Sequence, residues 1–94
     1  MNREGTLKEL FRQKCSNVSA KYLLDIKTDT TIKGVKPSFE DLMKTLKVVD
    51  TELTAEGVRL LESYKTETGA IPDDLTMGFK SIITETIEAF VKQL

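Results

Sequence analysis

Residues 36–53 read KPSFEDLMKTLKVVDTEL, and the way this stretch is divided decides the fold. Pro37 biases Lys36 away from helical dihedrals, and Ser38 is a capping residue. Glu40 and Asp41 then fall in the first turn, where the helix dipole favours negative charge. Phe39, Leu42, Met43, Leu46 and Val49 follow at spacings of three and four, the apolar face of a helix. A polar turn is predicted near residues 52–54, with Thr54 capping the next helix and Glu56 close to its positive end. Val58, Leu61 and Tyr64 form that helix's apolar face, and Gly69 ends it in a left-handed conformation.

Working outward, the segment before this stretch repeats the helical period. Leu7, Phe11, Cys15, Val18, Tyr22 and Ile26 share one stripe, which Leu10 and Leu24 extend on one side. The Ser16-Asn17 pair is a place where the helix bends or breaks, since short polar side chains compete for backbone hydrogen bonds. Residues 29–36, DTTIKGVK, are rich in threonine and contain a glycine, so they read as a loop. After Gly69, the sequence AIPDDL reads as a linker. A last helix carries Phe79, Ile82, Ile83, Ile87, Phe90 and Leu94. The expectation is one all-α domain over residues 1–94, a small bundle of about four helices at about 4–27, 38–51, 55–68 and 76–93.

The chain has 94 residues, too few for a large core, so assembly into a homo-oligomer is the natural way to bury more surface. Cys15 is the only cysteine and there is no histidine. These absences remove disulfides, zinc sites of the usual ligand types and every Ser/His or Cys/His nucleophile pair. No metal and no cofactor are expected. A lone thiol with no signal-like N-terminus points to the cytoplasm, and no run approaches the roughly 18 apolar residues of a membrane span. No glycine-rich phosphate loop is present. The paired acids Asp73-Asp74 and Glu85/Glu88 have the chemistry to hold a metal or do acid-base work, but Asp73-Asp74 sits just before a predicted helix, where acids are expected for dipole reasons alone. The chain is read as a non-enzyme. At 39% hydrophobic and 31% charged, its composition is globular rather than disordered.

The net charge of −1 is unevenly spread. Residues 1–36 carry eight bases (Arg3, Lys8, Arg12, Lys14, Lys21, Lys27, Lys33, Lys36) against four acids, whereas acids outnumber bases in the remainder. On the first helix, Arg3, Lys14 and Lys21 project along one line beside the apolar stripe, and Lys8 and Arg12 flank its other edge. Lys27, Lys33 and Lys36 carry the basic character into the loop. Such groups bind backbone phosphates without reading sequence, and the alternative is a plain solvated face. A standard helix-turn-helix over residues 36–68 fits less well. Leu42, Leu46, Val48 and Leu53 take its apolar positions, but Met43 fills the small-residue slot, Lys47 the turn glycine's slot and Glu56 a buried position.

LFRQKCSNVSAKYLLDI (residues 10–26), a short loop and then KPSFEDLMKTLKVVDTEL together resemble the small terminase subunits of short-tailed bacteriophages, the DNA maturase A type. The likeness spans about half the chain and rests on helix order and spacing. It implies a ring of identical subunits that binds double-stranded viral DNA and regulates a large terminase subunit carrying the ATPase and nuclease. The bases named above would then face DNA. The last helix, through Phe79, Ile82, Ile83, Ile87, Phe90 and Leu94, would form the oligomer interface. The apolar ending EAFVKQL departs from the charged tail expected of that family and favours self-assembly for this segment. The rival readings are a small helical inhibitor or immunity-type protein that binds another protein, and a compact helix-turn-helix regulator.

Overall fold

The computed structural model describes residues 3–94, an all-α chain of three helices. Residues 1 and 2 of the expected domain lie outside the described residues. Helix α1 spans Arg3–Lys33, α2 spans Phe39–Thr68 and α3 spans Asp73–Lys92. They form an up-down-up bundle of 51 × 22 × 19 Å. Glu4 at the start of α1 accepts a hydrogen bond from Tyr64 near the end of α2, so these two helices are antiparallel. Phe11 stacks on Phe79 with ring centroids 4.2 Å apart, close to the start of both α1 and α3, which run parallel.

Three helices replace the expected four because α2 does not break. The sequence VVDTELTAEG contains no proline, and the Thr51 hydroxyl donates to the Lys47 carbonyl 2.9 Å away, which lets threonine stay inside the helix. Val49, Leu53 and Gly57, four residues apart, are all buried and keep one face on the core through the place where a turn was expected. Thr54 therefore caps nothing, and Val58 is half exposed while Leu60, Leu61 and Tyr64 continue the packed face. The helix-turn-helix reading is corrected with it: residues 36–53 supply a helix start and half of one long helix, with no turn to set a second helix at an angle.

Helix α1 also runs further than the sequence suggested. Ser16 and Asn17 leave it unbroken, and DTTIK joins it. Thr31 donates to the Lys27 carbonyl at 2.9 Å, Asp29 pairs with Lys33 at 3.4 Å, and Gly34 at φ 72° ends the helix. The other punctuation is as expected. Ser38 accepts from the Asp41 amide at 3.2 Å, and Gly69 takes φ 90° while donating to the Lys65 carbonyl at 2.7 Å. Helix α3 starts at Asp73 rather than near Thr76, because the Pro72 carbonyl accepts from Leu75 and Thr76 and the two acids occupy the first turn.

The core is Phe11, Cys15, Val49, Leu53, Leu75, Phe79, Ile82 and Phe90, with Leu7, Val18, Tyr22 and Ile26 packed around it. Helix α3 is 20 residues long, against 31 and 30 for its neighbours. It stops roughly ten residues, about 15 Å, short of the α1–α2 loop. This explains two departures from the expected α2 face. Phe39 and Met43 have the spacing of core residues but stand exposed, at 78% and 49%, because no third helix reaches them. Leu10 and Leu24 on α1 are exposed as well, since they lie off the stripe that the other helices cover.

Candidate nucleic-acid interface

The eight bases of the front segment all lie on α1 or just after it, and the helix sorts them into separate rows. Lys14 and Lys21 are seven residues apart, hence on one face about 10 Å apart along the axis. Arg3 belongs to the same row, and its ion pair with Glu67 of α2 shows that this row borders α2. Lys8 belongs to the opposite flank: a β-carbon built at Gly78 would lie 2.6 Å from Lys8 Cε, so the lysine stem lies across α3. Arg12, four residues on, shares that flank. The two rows are separated by the buried stripe of Phe11 and Cys15.

Three of the bases have carboxylate neighbours. Arg3 pairs with Glu67, Arg12 with Glu9 at 3.9 Å, and Lys33 with Asp29 at 3.4 Å. Among the described residues, no carboxylate stands in ion-pair contact with Lys8, Lys14, Lys21, Lys27 or Lys36. Lys21 is exposed, with its Nζ 5.4 Å from the centroid of the adjacent Tyr22 ring. Lys14 is half buried. A lysine at the edge of an apolar face usually lays its stem along that face and keeps the ammonium in water.

Acids limit how far this surface extends. Beyond Lys21, the groove between α1 and the start of α2 is lined by Asp25, Asp29 and Asp41 together with Lys33 and Lys36. Three carboxylates there oppose phosphate, so this part of the surface disfavours a nucleic-acid backbone. Tyr22 donates to the Glu52 carboxylate across the α1–α2 boundary, and that hydrogen bond, with some burial, raises the phenol above its ordinary value.

The expected interface residues of the last helix are placed differently from the bases. Phe79, Ile82 and Phe90 are each 2% exposed and belong to the chain's own core. Ile83 and Ile87 pack against that core, and Leu94 alone of the six is exposed. The broad apolar coverage of α3 is thus used within the subunit. Among the described residues, the three most exposed of the large apolar side chains include Ile32 and Phe39, and with Leu24, Val35 and Met43 they lie towards the α1–α2 loop. Sequence reasoning missed Leu75, fully buried, because it was placed in the linker; Pro72 followed by two acids was the signal that a helix already begins there.

Cys15 is fully buried, and desolvation together with the nearby Glu56 charge pushes its thiol up to about 11, against the lowering effect of the Thr86 hydroxyl. It is a packing residue in an environment that suppresses thiolate chemistry. Among the described residues, no helix is long and apolar enough to cross a membrane. In comparisons with known proteins, no family model, no curated protein and no solved structure matches this chain.

Proposed function

We propose that this chain is a DNA-packaging adaptor of the small terminase kind, a homo-oligomer that binds duplex DNA through its first helix and regulates a separate large ATPase/nuclease subunit. The observation that carries this reading is the set of α1 lysines without carboxylate partners, above all Lys14 and Lys21 on one face. These supply phosphate contacts that position DNA without reading base sequence. One subunit offers few such contacts and binds weakly. A ring repeats them around one duplex, and linking modules in this way raises affinity by orders of magnitude without any new contact. The adaptor itself carries no catalytic residue; the chemistry belongs to the large subunit.

The test reverses the lysine row. Lys14→Glu with Lys21→Glu should abolish salt-sensitive retention on duplex DNA while leaving helical content unchanged, since both side chains lie outside the core. The slope of log affinity against log salt should fall by roughly 0.9 for each phosphate that is no longer neutralised. Retention that survives the double reversal, or a chain that stays strictly monomeric at high protein concentration, sinks the reading. A second reading, a helical protein-binding inhibitor, is favoured by the exposed apolar residues Ile32, Val35 and Phe39 at the α1–α2 end. It expects a monomer or dimer with no affinity for DNA.

A further inference from the structure

Where α3 stops, the surface between α1 and α2 continues as an open groove of about 420 Å³. Its floor is apolar, formed by Leu23 and Ile26 of α1, Leu42 of α2 and Leu94 after α3. Lys27 and Lys36 stand on its rim, and no acidic side chain lines it. Neither lysine has a carboxylate in ion-pair contact among the described residues.

We propose that this groove is the docking site for an acidic amphipathic helix of a partner protein, which lies end-on to α3 and completes the third helix of the bundle. The shape argues for a helix. The α1 residues lining the groove recur at spacings of three and four, so they present one continuous face over two turns. The missing length, about 15 Å, is that of a ten-residue helix. The charge argues for an acidic flank on the Lys27 side, because no acidic side chain lines this groove beside that lysine. The second groove, on the far side of Lys36, holds Asp25, Asp29 and Asp41, so an occupant of the first is steered away from basic sequences only on the Lys27 side. A second copy of this chain is a poor donor of such a helix, since α1, α2 and α3 are each already packed into its own core, and its exposed Ile32, Val35 and Phe39 lie around the α1–α2 loop rather than on a free helix. The inference does not rest on DNA binding, which uses Lys14 and Lys21 instead.

The test is a selection on the whole protein from two displayed libraries of helices about 14 residues long, both with apolar residues at helical spacing. One library carries Glu and Asp on the flanks; the other carries Lys at the same positions. The acidic library should enrich, and its synthetic peptides should shift the amide resonances of Leu23, Ile26 and Leu42. Lys27→Glu with Lys36→Glu, at two exposed positions and with an unchanged fold checked by circular dichroism, should weaken those peptides about tenfold or more. The same variant should begin to bind the lysine-flanked peptides. Failure of the acidic library to enrich, equal enrichment of both, or binders that map elsewhere would overturn the proposal. So would dodecanoate shifting the groove amides when no acidic helix does, which would make it a small-amphiphile site. Concentration-dependent broadening of the same amides in the protein alone would give the groove to a second copy and overturn it too. Since DNA retention is not read here, failure of this test leaves the packaging reading standing, and the converse holds.

Discussion

Gly57→Ala sets helix propensity against packing in the middle of α2, and the two have opposite signs. Alanine is favoured over glycine inside a helix by about 1 kcal/mol. Burying its methyl group adds about 0.8 kcal/mol more in the ideal case. Against this, the new β-carbon would lie 3.0 Å from Phe11 Cζ, 3.4 Å from Phe11 Cε1 and 3.4 Å from Phe79 Cδ2. The two rings are stacked at 4.2 Å with an interplanar angle of 15°, and each is at most 2% exposed. The stacked Phe79 ring limits how far Phe11 can retreat from the methyl. Overpacking of this kind costs roughly 1–3 kcal/mol, and contact with both rings places this site in the upper part of that range. The expected net effect is a loss of about 1 kcal/mol, equivalent to a fall in Tm of about 4–8 °C for a domain of this size. Thermal and urea unfolding followed by far-ultraviolet circular dichroism measure it. The double variant Gly57→Ala with Phe11→Leu separates the two effects. With a smaller side chain opposite, alanine should stabilise relative to Phe11→Leu alone, giving a coupling of about 1–2 kcal/mol. A single variant as stable as the parent, or more so, refutes the claim that α1 approaches α2 at Gly57 because no side chain stands there.

Two further outcomes follow from the same packing. The Cys15 thiol is raised from 9.0 to about 11, so the folded state holds its proton where the unfolded chain has lost it. Its contribution is fully present below about pH 9 and is lost as pH rises towards 11, about 2–3 kcal/mol in all. Urea midpoints across that window should fall more for the parent than for Cys15→Ala, and equal slopes would show that the thiol is not desolvated. Gly69→Ala forces a β-carbon into φ 90° at the α2 C-cap, with nothing within 4 Å to crowd it, so the cost is purely conformational. It should destabilise by about 1 kcal/mol in urea unfolding, and no change would mean that the cap relaxes freely.

Helix type and most of the punctuation were legible because they are local. Ser38, Gly69 and the Phe11–Cys15 stripe each declare themselves within a turn or two of chain. The division of α2 was not legible, because Thr54 followed by Glu56 is a fair start signal whether or not a helix already passes through it. What overrules it is tertiary: Val49, Leu53 and Gly57 must all face the same two helices, and only an unbroken helix keeps them aligned. DTTIK is ambiguous for the same reason, since threonine's weak helix preference is outweighed when its hydroxyl bonds to the preceding turn and a glycine closes the end. For the candidate interface, the sequence supplied the eight bases and the right rows on α1. Pairings such as Arg3 with Glu67 join residues far apart in the chain and were invisible to it.

The placement of apolar surface changes where self-assembly must be sought. A ring built through Phe79, Ile82 and Phe90 would have to pull α3 out of the bundle, exposing Phe11 and Cys15 and dismantling most of the core. Fully buried aromatic and aliphatic side chains are each worth about 1.5–3 kcal/mol, so undocking α3 costs an amount comparable to the whole stability of a domain of this size. If the chain assembles as proposed, contacts compatible with its fold would fall on exposed residues outside the apolar α1–α2 groove: Ile32, Val35 and Phe39 at the loop end, or Met77 and Val91 on the outer face of α3. The loop end carries the larger share, and it lies beyond the three-helix section rather than beside it. Lys14 and Lys21 sit in the three-helix section, away from that end. Contacts between neighbours at the loop end would leave the lysine row uncovered, which is the arrangement a DNA-binding assembly needs.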